Sequence, residues 1–265
     1  MGGDLGQKIS ETKTTSHLLG LEDWHQRYRQ QAEWTREIRQ RLFERADLQP
    51  KDRVLEVGSG TGAVLSQIQE EAPYRLTGID LDQSSLRFSR RFLPISNLAQ
   101  ADGYRLPFPD ACFKVVYCHY LLLWVADPVR ILQEMRRVTQ ADGTVIALAE
   151  PDYGARIDYP PPLDLLGRQQ TQALKNQGAD TQIGRKLRQL FHEAGFKEVD
   201  VGILGAQWHA GEQMYDDMEW TTLRTDLANY LTDEAVKRFE TVLQKAHHSG
   251  ERILFIPTFY ASGIH

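Results

Sequence analysis

Three glycines fall within five residues of the run VLEVGSGTGA at 54–63, namely Gly58, Gly60 and Gly62. An apolar stretch precedes them and a helical pattern follows. Such a turn lets backbone N–H groups approach a ligand closely, while the helix N-terminus favours negative charge. Gly58, Gly60 and Ala63 satisfy G-x-G-x-x-A, and Asp80 stands about 20 residues further on, where nucleotide-binding folds present a carboxylate to a ribose. Alone, this pattern admits a dinucleotide and an NAD-dependent oxidoreductase. Two features weigh against that. Glu56 lies within the apolar run, where a carboxylate is costly unless hydrogen-bonded. Gly62 also makes the turn tighter than a pyrophosphate requires.

Other residues could act at the same place. The segment ADGYRLPFPD at 101–110 offers Asp102, with Gly103 beside it, as an acceptor for an exocyclic amine. Asp80 and Asp102 could also be plain turn residues, but their joint spacing with the glycine turn favours binding. Cys118 and His119 close the apolar run FKVVYCHY. Cys118 reads as a small buried residue. His119 could be a general base near neutral pH or a polar lining group, and both readings stay open. Glu150, Asp152 and Tyr153 follow the next apolar run and are expected to face an acceptor, with a turn role for Asp152 as the simpler account. Trp208-His209 could line a pocket or pack. The pair His247-His248 suits a helix C-terminus, and no ligand spacing around it suggests a metal.

The elements that must position these groups follow from periodicity. Trp24, Tyr28, Trp34, Ile38 and Leu42 recur at helical spacing, which predicts one amphipathic helix over 22–46 with the aromatics facing the core. Strands are expected at 53–57, 75–79, 97–101, 113–120, 144–150, 199–204 and 252–264. Helices are expected at 62–72, 83–92 (Asp82 as N-cap), 127–139 (Asp127 as N-cap, Pro128 at N1), 181–194, 212–230 and 233–248. The stretch PDYGARIDYPPP reads as a proline-rich loop, and Pro257 as an edge or bulge in the last strand. Strands alternating with helices imply an α/β doubly wound sheet.

Composition agrees with a folded domain. Of 265 residues, 41% are hydrophobic and 25% charged, and 31 basic against 36 acidic side chains leave a formal charge of -5. That balance argues against a nucleic-acid partner. The two cysteines, Cys112 and Cys118, stand too far apart along one strand to bond, so free thiols and a cytoplasmic location are expected. The polar first residues carry no secretory signal, and no apolar run is long enough for a membrane span.

VLEVGSGTG, GIDLD at 78–82, ADGYRLPFPDACFKVVYCHYLLLWVADP at 101–128 and DGTVIALAEP at 142–151, in this order, resemble the class I S-adenosylmethionine-dependent methyltransferases, most closely the small-molecule type 11, ubiquinone/menaquinone-type branch. The resemblance covers about residues 50–150. It implies a Rossmann-like seven-stranded sheet, mostly parallel with the last strand antiparallel. It also implies a core over 51–150, an N-terminal helical cap over 1–50 and a helical insert over 205–250 that forms an acceptor pocket.

For S-adenosylmethionine it implies the turn Gly58–Ser59–Gly60 beneath the methionine part and Glu56 near the amino group. Asp80 would meet the ribose hydroxyls, Leu81 the adenine face, and Asp102 with Gly103 the adenine edge. Backbone at Cys118 and His119 would meet the amino group, and Tyr28 the carboxylate. A base is needed only if the acceptor must lose a proton, for which His119, Glu150 and Tyr153 are the candidates. The acceptor is expected to be a small molecule, methylated by in-line transfer. A cofactor-binding module without catalysis is the further alternative.

Overall fold

The apolar runs around Val54, Val115 and Val145 are too continuous for a sheet with one wet face, and they form the centre of a sheet covered on both sides. The computed structural model describes residues 19–94, 96–205, 217–227 and 230–264. Its strands are β1 (Arg53–Val57), β2 (Arg75–Asp80), β3 (Asn97–Gln100), β4 (Phe113–Cys118), β5 (Thr139–Pro151), β6 (Ile157–Tyr159), β7 (Glu198–Leu204), β8 (Ile253–Phe255) and β9 (Thr258–Ile264). Seven of them form the main sheet in the order β3-β2-β1-β4-β5-β9-β7. Strands β1 to β5 pair in parallel, and β9 runs antiparallel between β5 and β7. The expected α/β sheet, mostly parallel with an antiparallel last strand, is what the chain forms.

The strand order reverses direction at β1, whose neighbours are β2 on one side and β4 on the other. Open α/β sheets bind ligands at the carboxyl ends of the strands flanking such a switch point. Side chains alternate across the sheet: Leu55, Val57 and Val116 join one core, and Val54, Val115 and Tyr117 the other. Cys112 and Cys118 are free. No described helix is long and apolar enough to cross a membrane.

Helices α1 (Leu21–Trp34) and α2 (Arg36–Arg45) replace the single expected helix. The break is at Thr35, whose hydroxyl donates to the Ala32 carbonyl at 3.0 Å, while Arg39 donates to the same oxygen at 3.2 Å. These two side-chain donors compete for a carbonyl that would otherwise continue the helical ladder. Trp34 departs from the expected core stripe and is 52% exposed, with Arg27 stacked over its ring at 5.0 Å.

The next helices are α3 (Ala63–Glu71), α4 (Gln83–Ser89) and α5 (Pro128–Val138). The expected caps form: Asp82 accepts from the Ser84 and Ser85 N–H groups, and Asp127 from that of Arg130.

Helix α6 (Pro161–Asn176) is absent from the elements expected from sequence. Its two leading prolines suggest a loop, yet proline is favoured in a first helical turn. Leu163, Leu166, Gln170, Ala173 and Leu174 then repeat at helical spacing, a signal that could have revealed it. Strand β6 is likewise absent from the expected set. It pairs with β8, and Pro257 separates β8 from β9, so the last expected strand is two.

Helices α7 (Leu187–Glu193), α8 (Asp217–Leu227) and α9 (Asp233–His248) follow. Leu163, Leu166, Trp220, Leu223, Leu243 and Ala246 give α6, α8 and α9 a small core of their own beside the sheet. Trp208-His209, with residues 212–216 of the helix expected at 212–230, lies outside the described residues.

Gly62 caps α3 with φ +75, and a Cβ there would meet Leu93 Cδ1 at 2.5 Å and Ser89 Cβ at 2.9 Å. Left-handed backbone and overpacking together should cost Gly62→Ala about 2–4 kcal/mol. Urea denaturation checks this, and a loss within about 0.5 kcal/mol, the range of neutral surface changes, would contradict it.

Candidate functional site

The turn after β1 is held by its neighbour. The N–H groups of Gly58 and Ser59 donate to the Ile79 carbonyl at 2.9 and 2.8 Å. The Asp80 carboxylate accepts from Gly60 N–H at 2.7 Å through Oδ2 and from Asp82 N–H at 2.8 Å through Oδ1. The glycines serve different needs. A Cβ on Gly58 would stand 2.8 Å from Leu121 Cδ1, so packing excludes it. One on Gly60, at φ +49, would meet nothing within 4 Å, because that side opens into a cavity. The Ser59 hydroxyl turns beneath the sheet toward Gly78 and is buried there, so Ser59 offers the cavity backbone rather than its hydroxyl.

The cavity holds about 480 Å³ and sits at the carboxyl ends of the central strands. Its floor carries Glu56, Gly58, Ser59, Gly60, Asp80, His119 and Tyr120. Helix α1 roofs it with Trp24, Arg27, Tyr28 and Gln31, residues spaced to share one helical face. Trp24 and Tyr28 therefore face the cavity and stack on one another at 5.6 Å, where the sequence pattern assigns them to the core. The same helix is docked to the turn by the buried His25, whose Nδ1 lies 3.0 Å from the Thr61 hydroxyl and whose ring stacks on Phe92 at 4.4 Å. The far wall comes from α6 and α8, including Gln170, Glu219 and Asp226.

Electrostatics sort the candidates. Glu56 is 2% exposed and accepts from the Tyr117 hydroxyl at 3.0 Å, which satisfies the carboxyl that looked expensive in sequence. Register explains the pair: Glu56 and Tyr117 are partners across β1 and β4. Burial nevertheless pushes the Glu56 pKa up to about 8, against the opposing pull of Tyr117 and Arg39. His119 lines the cavity within 3.4 Å of the Thr35 hydroxyl. Burial, reinforced by the Arg39 charge, lowers its pKa to about 3, so the ring is neutral at physiological pH. Tyr153 also lines the cavity, and burial raises its phenol above the usual range.

Several expected site residues lie elsewhere. Glu150 does not face the cavity. It is 0% exposed, and its carboxylate accepts from the N–H groups of Leu121, Leu122 and Leu123 at 3.0, 2.8 and 3.2 Å, fixing the turn that carries the cavity wall. Burial pushes its pKa up to about 8 while those N–H groups pull it down. Asp152 is a turn residue, accepting from Gly154 N–H and paired with Arg185. Asp102 is exposed, accepts from Tyr104 N–H at 2.9 Å, and stands outside the cavity wall. Leu81 also stands outside it, 66% exposed. Gly103 makes room for its neighbours, since a Cβ there would stand 3.0 Å from Ile131 Cδ1 and 3.2 Å from Val57 Cγ1. The Cys118 side chain is fully buried in the core, and burial raises its thiol pKa. His247 packs inward, its Nε2 3.4 Å from Glu219. No group of metal-ligating side chains occurs among the described residues.

Residues 55–147 match the family described as a methyltransferase domain. A malonyl-acyl-carrier-protein O-methyltransferase of Halorhodospira halophila is 33% identical over 128 residues, 46% of this chain and 43% of that relative. The chain spans about half the length of the curated relatives it matches. Among solved structures, the 4+2 cyclase SpnF aligns with a TM-score of 0.55 at 18% identity over 86% of this chain and 80% of its own. Geranyl diphosphate C-methyltransferase from Streptomyces coelicolor A3(2), solved with geranyl diphosphate, Mg2+ and S-adenosyl-L-homocysteine, aligns at 0.54 with 12% identity over 87% and 79%. At these identities the two structures establish the shared fold.

The Glu56 titration gives a stability test. With its pKa raised from 4.5 to about 8, the folded protein holds a proton that the unfolded chain has lost. Stability from this group is full below pH 4.5 and is lost as pH rises to about 8. Glu56→Gln should therefore flatten the decline in unfolding free energy over that window in ligand-free protein. Equal slopes for the two proteins in denaturation at several pH values would count against a buried neutral Glu56.

Proposed function

We propose that this chain, whose residues 55–147 form a methyltransferase domain, transfers a methyl group from S-adenosylmethionine to a small-molecule acceptor. The observation that carries the reading is the glycine turn, open toward the cavity at Gly60, with Asp80 and Glu56 at the same rim. The bound cofactor would supply an electrophilic methyl carbon on a sulfonium, with a neutral thioether as leaving group.

The residues fit such a molecule. Each Asp80 oxygen already accepts one backbone N–H, and a carboxylate has further lone-pair capacity for ribose hydroxyls. Glu56 offers a buried carboxyl to an amino group, and Leu81 an exposed apolar face beside Asp80. Asp102 would reach the cofactor only at the outer edge of the cleft. Tyr28 hangs from the roof, where it could meet the cofactor's carboxylate.

In this reading α1 is the cap over the cofactor, while α6 and α8 complete the acceptor chamber. The protein's work is alignment and exclusion of water. His119, held neutral beside Arg39, serves as a polar lining group rather than a proton store, because its pKa of about 3 is poorly matched to neutral pH. Tyr153 remains a lining candidate, and Glu150 acts through the 121–123 turn. The dinucleotide reading is disfavoured by the antiparallel β9 and by the family match.

Calorimetry should register S-adenosylmethionine or S-adenosylhomocysteine and give no response to NADH. Asp80→Ala should weaken that binding by about tenfold to a hundredfold, the worth of charge-assisted hydrogen bonds, with an unchanged circular dichroism spectrum. NADH binding without S-adenosylmethionine binding would overturn the assignment. Cofactor binding with no labelled small product from any cell extract would favour a non-catalytic module.

A further inference from the structure

Most charged groups in the cavity wall are already engaged. Asp80 is held by the glycine turn, and Glu56 by Tyr117. Arg156 is paired with Asp158, which also accepts from Arg252 at 2.9 Å. Glu219 accepts from Arg252 at 2.6 Å. Two further wall charges, Arg27 on α1 and Asp226 on α8, have no ion pair among the described residues, as Asp80 and Glu56 have none. The Arg27 guanidinium lies along its own helix, donating to Gln30 at 2.6 Å and stacking over Trp34. Asp226 has one side-chain hydrogen bond, from Gln170 Nε2 to Oδ2 at 2.6 Å. Its Oδ1 has no hydrogen-bond partner among the described residues, and Asp226 lines the cavity.

Asp226 is within electrostatic range of the phenols of Tyr28 and Tyr153, both on the cavity wall. Tyr120 and Trp24 add aromatic surface to the same chamber. One unpaired carboxylate oxygen among aromatic rings is an arrangement that recognises a cationic nitrogen.

Resting on the methyltransferase reading, we propose that the acceptor is a small amine whose nitrogen is held by Asp226 Oδ1. An acceptor carboxylate would meet a like charge there. An alcohol could donate a hydrogen bond, but it would not surrender its proton to a carboxylate. An ammonium group could: R–NH3+ passes one proton to Asp226, leaving R–NH2 with its lone pair and a neutral Asp226 carboxyl.

The surroundings favour that transfer. Burial raises the Asp226 pKa, so the carboxylate gains affinity for a proton, while Gln170 on α6 and the charges of Arg27 on α1 and Arg156 oppose the rise.

The simpler alternative is that Asp226 merely ties α8 to α6 through Gln170. Asp226→Asn separates the two, since asparagine retains an oxygen for Gln170 while its NH2 group replaces the free, charged oxygen. The probes are 2-phenylethylamine, 2-phenylethanol and 3-phenylpropionate, titrated calorimetrically into the full chain saturated with S-adenosylhomocysteine. The amine should bind about tenfold or more tighter than the other two, the scale of a charge-assisted hydrogen bond. Asp226→Asn should abolish that preference while leaving S-adenosylhomocysteine affinity and thermal stability unchanged. An amine that binds no better than the alcohol or the acid, or a preference that survives Asp226→Asn, overturns the proposal. Failure of S-adenosylhomocysteine itself to bind would instead strike the methyltransferase reading.

Discussion

The Asp80 carboxylate is the fastening on which the head of the sheet depends. One oxygen holds the N–H of Gly60 and the other holds that of Asp82. Through this single side chain the end of β2 fixes both the glycine turn after β1 and the entry into α4. The turn is left-handed at three glycines, so its backbone gains no regular hydrogen-bond ladder of its own. The Ile79 carbonyl and Asp80 supply what it lacks. Because both groups stand at the end of a buried parallel strand, the turn inherits the rigidity of the sheet. A ligand approaching Gly60 meets a preformed surface.

The same use of buried polar groups recurs around the cavity. Glu150 is as deeply buried as any core leucine, yet its carboxylate holds three successive N–H groups of the 121–123 turn. Arg39, fully buried, donates to the Ala32 carbonyl, Gln67 and Glu71, and so joins the break between α1 and α2 to α3. Its charge also lies close enough to His119 to help keep that ring neutral. Each of these groups acts at the cavity through another residue. Helices α1, α6 and α8 line the side of the chamber away from the strand ends, and the last two pack together through Leu163, Leu166, Ala173, Trp220 and Leu227.

Much of the core is legible in sequence because its signals are local. The glycine turn, the Asp82 and Asp127 caps with Pro128, and the apolar strands are each set by a few adjacent residues. Pattern misleads where a contact distant in sequence decides. Thr35 looks like any residue within a helical stripe, and only the carbonyl of Ala32, contested by Thr35 and Arg39, makes it a break. Glu150 follows a strand as a site residue would, but the neighbouring turn captures it. Trp24 and Tyr28 fit an apolar stripe equally well whether the surface they meet is a core or a cavity. Helix α6 escapes for another reason, since its opening prolines resemble a loop as much as a first helical turn.

The glycine turn, the α/β alternation and the cavity residues Glu56, Gly58, Gly60 and Asp80 can all be read from chain order, because strand-end positions in a parallel sheet follow directly from it. What closes the cavity opposite them is settled by packing instead. Gln170, Glu219 and Asp226 come from helices whose order along the chain says nothing of which faces meet over the sheet. Charge pairing decides the rest: Arg156 and Glu219 are taken up by Asp158 and Arg252, and Asp226 is left facing the cavity. Which carboxylate is neutralised and which stays open depends on contacts between segments far apart in sequence, and no local pattern encodes that.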